Sequence, residues 1–162
     1  KENFTGVDYN LIVNTSRGSV ARSISYLEEE SDSISHENNF VECLRFAFLA
    51  KKSKAAILDL TKWSEKLASI SRDQQKDFFS YCSYLIREAM LISYSSKNLG
   101  SFSSNTDFKI DKLSPFVHSS NLIEIISLIE DCHYSISRNV NSKIVFTNFA
   151  ITLTKLINKE EV

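Results

Sequence analysis

The stretch that decides the fold lies near the C-terminus and reads Ser137-Arg138-Asn139-Val140-Asn141-Ser142-Lys143-Ile144-Val145-Phe146. A long apolar-periodic segment leads into the two asparagines, and a second one continues from them to Ile157. Asparagine tolerates the backbone conformations of tight turns and favours helix starts. The stretch therefore predicts the corner of a helical hairpin, onto which the rest of the chain packs.

The composition favours long helices. Among 162 residues, proline occurs once and glycine three times, while 43% of the residues are hydrophobic. So few turn-forming residues suit uninterrupted helices better than a turn-rich β fold. We therefore predict an all-α bundle of about five to six helices, preceded by two short helices.

A polar interval over residues 31–39 contains few apolar residues and marks the best candidate for a domain boundary. It divides the chain into residues 1–34, which carry the two short helices, and residues 35–162, which carry the bundle. Because the chain begins with Lys1 and not with Met, we expect it to be a piece of a longer protein.

Within the second region, apolar residues recur at steps of three and four, which is typical of amphipathic helices. The pattern predicts helices over about residues 40–51, 55–70, 71–94, 122–136 and 142–158. The helix from residue 122 is apolar around more than half of its circumference, with Ile123 and Leu128 beside its main stripe. We expect this helix to contact two partners.

The helix starts carry recognisable signals. Ser71 is followed three residues later by Gln74, which is the pattern of a capping box. Asn121 and Asn141 each precede an apolar-periodic run and are predicted to cap the helices that follow them. A short helical turn near Asp111 has to finish before Pro115, because a residue that precedes proline avoids helical geometry.

The charge is balanced, with 19 basic and 20 acidic residues and a net charge of -1. Such a chain lacks the positive field of a protein whose main task is to hold nucleic acid, so we expect contact with DNA to be weak or indirect at most. No apolar run approaches the length of a membrane span, and no leader pattern is present. These features predict a cytoplasmic location without a membrane contact.

Residue patterns that carry chemistry are missing. Cys43, Cys82 and Cys132 are widely spaced within apolar stretches, which predicts reduced thiols in the core. The three histidines have no second ligand at metal-binding spacing, and the scattered glycines form neither a phosphate-binding loop nor a nucleophile elbow. We therefore expect no catalytic, cofactor or metal site in this chain.

Lys51, Lys52 and Lys54 form the densest basic cluster in the sequence. A solvated turn between helices is one interpretation of this cluster. Contact with DNA phosphate or with an acidic partner is the other.

The segment from Arg138 to Phe146 resembles the Asn-x-Asn-x-Lys segment near the C-terminus of the delta-prime subunit family of bacterial DNA polymerase III, which belongs to the AAA+ clamp loaders. Asn139, Asn141 and Lys143 carry this resemblance. The family usually has proline where this chain has Ser142.

Three further segments look like parts of the same family in the correct order. Gly18, Ser19 and Arg22 resemble the Gly-Ser-x-x-Arg segment of the AAA+ lid helix. Residues 40–45 and 113–118 are similar to later family segments. The resemblance thus extends from about Asn10 to Ile157.

The resemblance implies that residues 1–34 are the end of an AAA+ lid and that residues 35–162 are a helical collar domain. Collar domains assemble with those of other clamp-loader subunits, gamma/tau and delta, during DNA replication. The ATP-binding module would precede Lys1. Ala21 occupies the position where ATP-hydrolysing relatives place an arginine, and Arg22 lies about 100° further around the helix. The family likeness therefore implies a non-hydrolysing structural subunit.

Two other functions fit the residue patterns. One is a helical protein-interaction adaptor that is unrelated to replication. The other is an all-α hydrolase, although the paired histidine and aspartate ligands of such an enzyme are not visible in the sequence.

Overall fold

A computed structural model describes residues 30–94 and 108–160, with side chains from His36 onward in the first helix. Every regular element in these ranges is helical, which confirms the all-α prediction. None of the described helices is long and apolar enough to cross a lipid bilayer. The α-helices are α1 (Glu30–Leu49), α2 (Lys54–Ala68), α3 (Arg72–Tyr94), α4 (Leu122–Ser137) and α5 (Ser142–Ile157).

Helix α1 begins ten residues before the predicted start at Phe40 and passes through the polar interval of residues 31–39. Tertiary contacts stabilise the helix there. Glu37 accepts a buried hydrogen bond of 2.8 Å from the Tyr81 hydroxyl, and the Asn39 carbonyl accepts one of 2.8 Å from the Trp63 indole. The predicted boundary between residues 34 and 35 thus falls within a continuous helix. Residues 1–29 lie outside the described residues.

The helices form two layers. Helix α5 packs between α2 and α4 and also against α1, while α3 packs against α4 and α1. Helices α2, α5 and α4 therefore lie side by side in one layer, and α1 and α3 form the other. Helices α4 and α5 are the two arms of the predicted hairpin.

An aromatic cluster fills the centre between the layers. The Phe79 and Phe146 rings are stacked with their centroids 5.0 Å apart, and the Phe78 ring lies edge-on to Phe79 at 5.4 Å. Trp63 lies against Phe149 with a centroid distance of 6.2 Å. These rings come from α2, α3 and α5, and aromatic pairs at such distances add to the stabilisation from burial. The cluster therefore joins the two layers.

The described part of the connection between α3 and α4, residues 108–121, contains two single-turn 3-10 helices, Ile110–Lys112 and Ser114–Phe116, and ends at Asn121. Asn121 occupies the N-cap position of α4, but its side chain makes no capping bond. Its side-chain oxygen accepts instead from the His118 backbone amide at 3.0 Å, so the acceptor that a cap would use is already occupied. Its amide nitrogen donates to the carbonyls of Phe116 at 2.9 Å and Leu156 at 3.1 Å, so the buried side chain joins the connection to the end of α5.

Candidate functional site

Two asparagines with different roles form the corner between α4 and α5. Asn139 adopts a left-handed conformation with φ 62°. The Asn139 amide donates to the Ile136 carbonyl at 3.1 Å, and the Val140 amide donates to the Ser135 carbonyl at 3.1 Å. This pair of bonds is a Schellman motif, which ends a helix at a left-handed residue. Asn139 therefore ends α4.

Asn141 begins α5. Its side-chain oxygen accepts hydrogen bonds from the backbone amides of Lys143 at 3.0 Å and Ile144 at 3.4 Å. Its backbone is extended, as expected of an N-cap residue. The prediction that Asn141 caps the last helix is confirmed.

We expect Asn141→Ala to lower the free energy of unfolding by about 1 kcal/mol, because two amides of the first turn lose their acceptor. Chemical denaturation monitored by circular dichroism measures the change. Asn148→Ala is the matched control, since Asn148 is exposed in the middle of α5 and accepts only a long bond of 3.5 Å from the Thr152 hydroxyl, whose loss the higher helix propensity of alanine should offset. Equal stabilities of the two variants would contradict the capping role.

Helix α3 begins beside the corner. The Ser71 hydroxyl accepts from the Gln74 amide and the Gln74 side chain accepts from the Ser71 amide, both at 3.3 Å, which confirms the predicted capping box. The Arg72 guanidinium donates to the carbonyls of Ile136 and Val140, both at 3.3 Å. Arg72 thus binds the end of α4 and the corner at once.

Gln75 links three helices at the same place, and its role is not apparent from the sequence. Its buried amide nitrogen donates to the carbonyl of Ala68, the last residue of α2, at 3.2 Å and to the carbonyl of Ile70, just after α2, at 2.9 Å. Its oxygen accepts from the Ser142 hydroxyl at 2.7 Å. A sequence signal exists, because Gln75 lies three residues before Phe78 on the buried stripe of α3.

Ser142 is the first residue of α5, a position that favours proline because its amide is not needed there. Serine, unlike proline, has a side-chain hydroxyl, and here this hydroxyl donates a hydrogen bond to the Gln75 side-chain oxygen. This serine thus makes a specific contact between α5 and α3 that proline could not make.

Lys143 extends from the corner to α2. Its ammonium lies 2.8 Å from the Glu65 carboxylate, and both side chains are more than half exposed. The hydrogen bond from Lys143, together with its charge, holds the pKa of Glu65 below its usual value. An exposed ion pair of this kind contributes little stability but restricts how α5 lies on α2.

The second candidate feature is a set of exposed apolar side chains on one layer. Leu58 on α2 is 64% exposed, and Ile144 and Ile151 on α5 are 65% and 50% exposed. On α4, Ile123 is 74% and Tyr134 60% exposed. We call the outward side of α2, α5 and α4 that carries these five residues the apolar face.

The other layer lacks such a surface. Among the described side chains of α1 and α3, the large apolar residues that are exposed are Leu49 and Tyr94, each at the C-terminal end of its helix. The prediction that α4 contacts two partners is confirmed, because α4 packs against both α3 and α5. Of the two residues beside its main stripe, Leu128 is buried and Ile123 points to solvent.

Cys43, Cys82 and Cys132 are free and buried, as predicted, and burial raises the pKa of the Cys132 thiol to about 12. In residues 30–94 and 108–160, no group of three or more His, Cys, Asp or Glu side chains is placed to hold a metal ion. Burial and the neighbouring Glu37 carboxylate raise the pKa of the Tyr81 phenol, so this pair joins α1 to α3 as a structural contact.

The structure places Asn139, Asn141 and Lys143 together at one corner, where they contact α2, α4 and α5. Gly18, Ser19 and Arg22 of the lid-like segment lie outside the described residues. The fold and these contacts define a two-layered helical bundle with a hydrogen-bonded corner and an apolar face. No protein-family model matches the chain, and comparisons with curated proteins and with solved structures find no match.

Proposed function

We propose that this chain is an assembly domain of the clamp-loader collar type, which binds other helical subunits through the apolar face and has no catalytic role of its own. The apolar face is the observation that carries the proposal. Single exposed apolar residues are normal on protein surfaces, but here they concentrate on three adjacent helices. Covering each of them would contribute roughly 1–2 kcal/mol to association.

The corner supports the same proposal. Asn139 and Asn141 determine the geometry between α4 and α5, while Lys143 and Ser142 bind α5 to α2 and α3. A surface that spans several helices needs such fixed relative positions, because a preorganised interface loses less freedom on binding. Asn139 and Asn141, two of the residues that carry the resemblance to the delta-prime family, thus set the turn between two of the helices that carry the apolar face.

Mixing the chain with the C-terminal domains of the gamma and delta clamp-loader subunits from the same source tests the proposal. We expect a heteromeric complex at tens of micromolar, measured as mass by light scattering after gel filtration. Ile144→Asp and Ile151→Asp should weaken the complex by about tenfold or more, because each buries a charge in the interface.

Ser80→Asp provides the control, since Ser80 is exposed on α3 in the other layer. It should leave the complex unchanged. A chain that stays monomeric in the presence of both partner domains would contradict the clamp-loader assignment. Binding that ignores the Ile144 and Ile151 substitutions would contradict the role of the apolar face.

A further inference from the structure

The apolar face has a basic end. Helices α2 and α5 run antiparallel, because Lys143 meets Glu65 at one end and the Lys51 ammonium donates to the Asn158 carbonyl at 3.1 Å at the other. Lys54 lies one helical turn before Leu58, and Lys155 lies one turn after Ile151. Both lysines are therefore next to the apolar residues, at the same end of the layer.

Lysines outnumber acids among the described residues at this end, where the exposed Glu160 follows α5. Lys52, Lys54 and Lys155 are exposed, and none forms an ion pair within the described residues. The acids of α2 are already engaged, since Asp59 lies 3.6 Å from Lys62 and Glu65 is paired with Lys143. We call Lys52, Lys54 and Lys155 the lysine end. The α2–α5 surface thus combines exposed aliphatic side chains with unbalanced positive charge at one side.

We propose that the α2–α5 surface binds an amphipathic α-helix of a partner protein that carries an aliphatic stripe and acidic residues at one end. The stripe covers Leu58, Ile144 and Ile151, and the acidic end lies over the lysine end. The distance along α5 from Ile144 to Lys155 is about 16 Å, which suits about three turns of a partner helix. This inference rests on the assembly role proposed above but not on the clamp-loader identity.

Charge complementarity selects this occupant over a second copy of the chain. Two copies that pair through the same surface would bring the lysine end against another lysine end or against acids that already have partners. Neither arrangement compensates the positive charge, and unpaired like charges at an interface are unfavourable. A separate partner that supplies free carboxylates removes this cost.

The exposed chemistry also argues against an anionic membrane as the occupant. Leu58, Ile144 and Ile151 are aliphatic, and the large apolar residues exposed on α2 and α5 include no Trp, Tyr or Phe. Peripheral helices that insert into lipid commonly use such aromatic residues together with a basic face. A protein helix with leucine or isoleucine side chains matches the surface better.

A stapled helical peptide of about 16 residues is the probe, with leucines on one face and glutamates filling one end. We expect it to bind with a Kd of tens of micromolar by fluorescence anisotropy. An isomer with lysines in place of the glutamates should bind about tenfold more weakly. One peptide carries the glutamates at its N-terminal end and a second carries them at its C-terminal end, because the surface does not specify the direction in which the partner helix runs.

A charge swap keeps the test decisive. Lys54→Glu combined with Lys155→Glu should reverse the preference, so that the lysine peptide binds about tenfold more tightly than the glutamate peptide. Ser80→Glu on α3 should change neither affinity, and circular dichroism verifies that each variant is folded. Equal affinities for the two peptides would overturn the proposal, as would binding only to phosphatidylserine vesicles or self-association through the same residues.

The peptide result and the complex with gamma and delta domains separate the two proposals. Peptide binding without a clamp-loader complex would retain the acidic-helix site and reject the clamp-loader identity. A clamp-loader complex without a preference for the glutamate peptide would support the clamp-loader identity and reject the acidic-helix site.

Discussion

Phe146→Ala is expected to lower the free energy of unfolding by about 3–5 kcal/mol, which is the cost of removing a large side chain from a close-packed core. Phe146 is fully buried and contacts Trp63, Phe78 and Phe79 from two other helices. Removal of the Phe146 ring would leave a cavity where the two layers meet, and its three aromatic neighbours would lose their contacts with this ring. Urea denaturation followed by Trp63 fluorescence measures the change at the site itself.

Ile144→Ala is the matched control, two residues away on the same helix. Ile144 points to solvent on the apolar face, so the free energy of unfolding should change by less than about 0.5 kcal/mol. A comparable loss in both variants would mean that the core does not run along the Phe146 side of α5.

Gln75→Leu is expected to lower the free energy of unfolding by about 2–4 kcal/mol. Leucine preserves most of the volume, so the loss reports the hydrogen bonds. The carbonyls of Ala68 and Ile70 and the Ser142 hydroxyl would lose their partner in a site with little solvent. Buried polar groups that become unsatisfied cost about 1–3 kcal/mol each, and part of this is recovered by relaxation.

Ser142→Ala separates the parts of this network. It removes only the hydroxyl donor to Gln75 and should cost about 1 kcal/mol. The double variant should lose less than the sum of the single losses, because the two side chains share one bond. Strict additivity would show that Ser142 and Gln75 stabilise the corner independently.

The local signals in the sequence predict most of the helices. The spacing of apolar residues places α2, α3, α4 and α5 within a few residues of their observed bounds, because one buried side imposes a helical period. The Ser71 and Gln74 capping box and the Asn141 cap are also local, since their hydrogen bonds span only a few residues. Such features need no knowledge of distant contacts.

Contacts between distant residues account for the places where the structure differs from the prediction made from the sequence. Within the extended part of α1, Glu37 and Asn39 bind Tyr81 and Trp63, which come from other helices. The Asn121 amide nitrogen donates to the Leu156 carbonyl, 35 positions away in the chain, while its oxygen accepts from the His118 amide and does not cap α4. Gln75 is polar yet buried, because three carbonyls and one hydroxyl from other segments surround it.

The amino-acid sequence by itself determined that this protein is all-α, where most of its helices lie, and that Asn139 and Asn141 turn the chain between the last two. These properties follow from side-chain periodicity and from hydrogen bonds within a few residues. Only the tertiary structure decided which apolar residues stay exposed. Leu128 and Ile123 look alike in the sequence of α4, but the neighbours of α4 cover one and leave the other in solvent. The apolar face and its lysine end exist only because distant helices lie side by side.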